Sequence, residues 1–136
     1  MTEPLTRGAH HIGLSVPNLD SAAAFFCDAL GFKVVGERPD YPARFVSDGQ
    51  ILLTLWQVAH PEKAAHFDRR NAIGLHHLAL GVEDSAALDR VHARAAAHPG
   101  RAPPGGGVCA HHRRGAVVCR RAGHGPWGSA HPGAEC

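Results

Sequence analysis

The chain has 136 residues, 44% of them apolar and 19% charged, with a net charge of +2. That is the size of a single domain with a packed core. Fourteen basic against 12 acidic residues are too weak a bias to argue for nucleic acid. No apolar run approaches the ~20 residues of a membrane span. The opening segment, Met1 to Arg7, has no apolar signal stretch. Nothing in the cysteine pattern requires disulfides, so a cytoplasmic location is expected.

In chain order, residues 10–16 alternate in polarity and predict a strand. Pro17-Asn18 ends it, and Leu19 to Leu30 predicts a helix with Asn18 or Asp20 at its start and Gly31 as its stop. Cys27 lies in this helical stretch and is expected to be a buried thiol. Phe32 to Arg38 and Ala43 to Val46 predict two further strands. Asp48-Gly49 is a hairpin signal into a fourth, Ile51 to Val58. The first module therefore reads β-α-β-β-β. A short helix around Pro61 to Phe67 and a loop to Gly74 lead to a strand over Leu75 to Val82 and a helix over Asp84 to Ala97.

After Gly100 the pattern changes. Residues 1–100 carry nine Lys and Arg against eleven Asp and Glu, whereas residues 101–136 carry five Arg and a single acid, Glu135. The last 36 residues hold eight of the 16 glycines and contain no Leu, Ile, Phe or Met. Such a segment buries too little apolar surface to offset its chain entropy, so it is expected to be poorly ordered, or ordered only by packing on the rest, and to supply no recognisable strands. Two accounts of it stand: a genuine basic extension, or translation in a wrong reading frame, since GC-rich DNA read out of frame yields mostly Arg, Ala, Gly, Pro and His. The abrupt loss of hydrophobic periodicity favours the second. Cys109, His111, His112, Cys119 and His124 match no tetrahedral zinc spacing. Gly105-Gly106-Gly107 follows no strand and opens no helix, so it is not a phosphate loop.

The first hundred residues contain a repeat. His10-His11-Ile12-Gly13-Leu14-Ser15-Val16 returns as His76-His77-Leu78-Ala79-Leu80-Gly81-Val82, an offset of 66, and each copy leads to Asp-Ser-Ala-Ala in a helix. Alternate residues of a strand face opposite ways. His10, Ile12, Leu14 and Val16 should face the core with His76, Leu78, Leu80 and Val82. His11 and His77 then project on the small-residue face, where a cavity can exist. Two strands related by a pseudo-twofold axis would aim these two imidazoles at one point.

The motifs His-His-Ile-Gly-Leu-Ser-Val-Pro-Asn-Leu-Asp and Gly-Leu-His-His-Leu-Ala-Leu-Gly-Val resemble the two module openings of the vicinal oxygen chelate superfamily, which includes glyoxalase I, extradiol dioxygenases and bleomycin-binding proteins. The resemblance covers about residues 8–98. It implies an α+β fold of paired βαβββ modules forming a cup-shaped sheet within one glyoxalase-like domain. The first module would span 8–60, the second would start over 74–100, and 101–136 would be anomalous. It implies that His11 and His77 bind a divalent metal ion (Fe, Mn, Zn or Ni) and that the chain forms a homodimer acting on a small molecule with vicinal oxygens. The reaction would be of the lyase, isomerase or dioxygenase kind.

Two departures limit this. The fourth-strand position at which glyoxalase I has Glu or Gln is matched by Leu52, with Thr54 on the same face and Gln57 on the other. The Glu of the last strand would fall in the tail. The alternatives are a metal-free binder resembling bleomycin-binding proteins and a non-functional truncated chain. Trp56, Thr54 and Arg44 are expected to contact the substrate, with Tyr41 at the rim. Arg69-Arg70 would be a solvated loop or an anion contact.

Overall fold

The computed structural model describes residues 3–65, 70–71, 73–75, 77–99, 108–111 and 116–119, the last two segments as backbone. The chain divides into two compact units, Met1–Ala64 and Ala65–Cys136.

The first unit is a βαβββ module. β1 (Ile12–Val16) leads into α1 (Leu19–Ala24), whose Asn18 side chain caps the helix by accepting a hydrogen bond from the Ser21 amide at 2.8 Å. The helix continues as one wider π-helical turn, Phe25–Ala29, and ends at Gly31 with φ +78°. That left-handed conformation suits glycine, and it makes Gly31 the stop that its position in the sequence predicts. β2 (Lys33–Arg38), β3 (Ala43–Ser47) and β4 (Leu52–Gln57) complete a sheet of order β1-β4-β3-β2. β1 runs parallel to β4, and the other pairings are antiparallel. In the hairpin between β3 and β4, Asp48 Oδ1 accepts from the Gln50 and Ile51 amides, both at 2.9 Å, and Gly49 takes φ +95°.

The core lies between this sheet and the helix. Val46, Leu53 and Leu55 are fully buried on one face, and Ala23, Phe26, Ala29 and Phe32 cover them. Cys27, expected to be buried, is only half-buried, because the π-helical turn changes which side chains face the sheet.

The second unit opens in the same way. β5 (Leu78–Gly81) is followed by α2 (Ser85–Ala97), capped by Asp84 Oδ1 on the Ala87 amide at 2.6 Å. Leu78, Leu88 and Ala95 are its buried apolar residues among those described. Two strands then follow within the stretch expected to supply none: β6 (Val108–His111) and β7 (Ala116–Cys119), giving a sheet of order β5-β7-β6. The expectation failed because it weighed side-chain composition, whereas strand pairing is satisfied by backbone groups that every non-proline residue carries. The predicted helix after His60 is a short 3₁₀ turn, Pro61–Lys63, and its remainder to Phe67 lies partly outside the described residues. His76, Arg69, Gly105 to Gly107, His112, His124 and Glu135 also lie outside them. Among the described residues no helix is long and apolar enough to cross a membrane.

Candidate functional site on the open face of the first sheet

The register of the four strands sorts every side chain of the first unit. Residues directly opposite each other share a face. Across the sheet, Ser15, Trp56, Ala43 and Arg38 form one row on the side away from α1. Gly13, Thr54, Phe45 and Gly36 form the next, and Leu52, Ser47 and Lys33 a third.

The centre of this open face is aromatic. Trp56 packs against Tyr41 with ring centroids 4.9 Å apart and against Phe45 at 6.0 Å. The Trp56 indole N–H donates to Thr54 Oγ1 at 3.0 Å, and Thr54 is 7% exposed beneath it. Glycines make room on both sides. A Cβ on Gly13 would stand 3.3 Å from Thr54 Oγ1 and 3.7 Å from Trp56 Nε1, and one on Gly36 would stand 2.9 Å from the Phe45 ring. Trp56 and Thr54, expected to meet a substrate, are therefore brought together. Tyr41 joins them, 60% exposed. Phe45 was missed, although its place two residues after Ala43 within β3 puts it on the face of Trp56 once the hairpin register is known.

Arg44, expected at the same surface, is on the other face. It stands opposite Leu55 and Glu37, and its guanidinium pairs with Asp20 of α1 at 2.7 Å and with Glu37 at 3.2 Å. It ties the helix to the sheet instead of facing Trp56. Gln57 also serves the fold. Its Oε1 accepts from the Leu19 amide at 2.8 Å, and its Nε2 donates to the Pro17 carbonyl at 2.7 Å, fastening the turn between β1 and α1.

His11 is exposed just before β1. Strand alternation put His10 on the opposite side, but the strand begins only at Ile12. In the bend before it the two rings meet edge to face, with Nδ1 atoms 3.0 Å apart. One ring donates to the other, so the Nδ1 atoms of both histidines are engaged in this contact. Leu52, on the open face next to β1, has no donor atom, and the Thr54 hydroxyl is engaged by Trp56. The strands place no Asp or Glu on this face. His77 is exposed immediately before β5, at the repeat-equivalent position in the second unit. Among the described residues no group of three or more His, Cys, Asp or Glu converges. Among the described residues, His11 and His77 are therefore joined by no carboxylate that would complete a three-ligand set of the kind an open divalent site uses.

A βαβββ module, a second unit opening with the same strand and helix, and a repeated His-His pair define a glyoxalase-type chain. It belongs to the Glyoxalase/Bleomycin resistance protein/Dioxygenase superfamily, whose model matches residues 8–119 and so extends past the expected limit into β6 and β7. The chain is 31% identical over 80 residues to the uncharacterized protein YaeR of Escherichia coli (strain K12). That match takes in 55% of this chain and 60% of YaeR, so the chain spans less than two thirds of that relative. It is also similar to the crystal structure of lactoylglutathione lyase from Agrobacterium tumefaciens, with a TM-score of 0.42 and 23% identity over 65% of this chain and 68% of that one.

Proposed function

We propose that the chain binds a small, flat organic molecule on the open face of the first sheet and that this binding needs no metal ion. The observation that carries the reading is the Tyr41–Trp56–Phe45 cluster on a face with no carboxylate from any strand. Aromatic surfaces of this kind favour stacked or edge-on contact with another ring, about 0.5–1.5 kcal/mol beyond the area buried. Thr54 fixes the indole edge in advance, which lowers the ordering cost on binding.

The test uses Trp127→Phe protein, which leaves Trp56 as its sole tryptophan. Quenching of Trp56 by flat aromatic compounds should be the same before and after dialysis against EDTA, and Trp56→Ala should abolish binding. Loss of binding on chelation would overturn the reading.

A second reading is favoured by the repeat. His11 and His77 occupy equivalent positions ahead of β1 and β5, as the metal-dependent members of the superfamily would require. In that case a divalent ion would supply Lewis acidity toward a substrate with vicinal oxygens. His77→Ala should then weaken metal binding and abolish turnover of such a substrate.

A further inference from the structure

The ligand-binding reading leaves the chemical class of the ligand open, and the edge strand β2 narrows it. β2 reads Lys33-Val34-Val35-Gly36-Glu37-Arg38, with Val35 as an extra residue between the pairs Val34–Val46 and Gly36–Phe45. In an unbroken strand Lys33 and Arg38, five positions apart, would face opposite sides. One bulge residue reverses the alternation after it. Lys33 and Arg38 therefore both stand on the open face, opposite Ser47 and Ala43. The same reversal sends Glu37 to the helix side, where it pairs with Arg44. The bulge removes the strand's one acid from the aromatic face and leaves two cations there.

Arg38 is the better placed of the two. It shares a row with Ala43 and Trp56, two strands from the indole, about 10 Å between backbones at the usual strand spacing. That is within reach of a long side chain and a small ligand together. Arg38 is exposed and, among the described residues, makes no ion pair. Lys33 instead lines a shallow cleft together with the acidic residue Asp48. A guanidinium presents paired N–H groups that match a carboxylate in two-point geometry.

We infer that the open face selects an aromatic carboxylate, its ring on Trp56 and Tyr41 and its carboxylate on Arg38. The inference rests on the open-face reading above, and the experiment separates the two. In Trp127→Phe protein, the indole N–H resonance of Trp56 is followed by NMR during titration with 2-naphthoate and with neutral 2-naphthamide. Naphthoate should bind at least about tenfold tighter, the difference should weaken with salt, and Arg38→Gln should erase it while leaving naphthamide binding intact. Arg38→Lys should keep part of it. Arg38 is exposed on an edge strand, so these variants test recognition and not folding. Equal binding of the two compounds, or an unchanged preference in Arg38→Gln, would overturn the assignment of an anionic ligand while the open-face reading survives. No shift with either compound at millimolar concentration would overturn both.

Discussion

β1 and β5 begin from the same sequence motif, yet β1 has a parallel neighbour and β5 an antiparallel one. The number of strands described after each helix differs. After α1 three strands run in alternating directions, so the third, β4, returns beside β1 in the same sense. After α2 only two strands are described, and β7, the second, takes the place beside β5 in the opposite sense. In the first unit the inserted strand β4 brings Leu53 and Leu55 to the core, Thr54 and Trp56 to the open face, and Gln57 to the first turn. The second unit has a cap, a helix and a hairpin among its described residues, but no described counterpart of that strand. A duplicated opening thus leads to four described strands in the first unit and three in the second, and the aromatic open face belongs to the first.

Core truncation should separate the two units most strongly. Leu53→Ala and Leu88→Ala each remove a fully buried side chain and should each cost about 3 kcal/mol. In urea denaturation followed by amide exchange, each substitution should lower protection mainly in its own unit. Uniform loss across both would break the comparison and make the chain a single cooperative body. Gln57→Ala comes next, since it frees the Leu19 amide and the Pro17 carbonyl together and should cost about 1–2 kcal/mol, read from the urea midpoint of the first unit.

The caps provide a matched pair. Asn18→Ala and Asp84→Ala remove equivalent hydrogen bonds from the third residue after each cap, and each should cost about 1 kcal/mol. A much smaller effect of Asp84→Ala would show that α2 is held by less than α1. The smallest effect is expected for Gly36→Ala. Its Cβ would press on the Phe45 ring, a side chain able to turn aside, so the loss should stay within about 1 kcal/mol while the Trp56 indole resonance shifts.

Much of the first module was legible from its residues. Alternation marked the strands, Asn18 and Gly31 bounded the helix, and Asp48-Gly49 marked the hairpin, because these signals act over a few residues. The repeat placed His11 and His77 at equivalent points, and the small residues Gly13 and Ser15 marked the open face. Arg44 was misplaced because its facing depends on which residue of β3 meets which residue of β4. The pairing of His10 with His11 escaped strand alternation because the strand starts one residue after them. The role of Gln57 escaped because its partners lie about 40 positions away.

By itself, then, the sequence determined the family, the order of elements in the first unit, both helix caps and the repeated histidines, all of which follow from local periodicity and motif. Tertiary structure alone decided the facing of β2 and β3, and with it the composition of the open face. One bulge at Val35 and one hairpin register place Phe45, Trp56 and Arg38 together and send Arg44 and Glu37 to the helix, since a shift of a single residue turns every later side chain to the opposite side of a sheet.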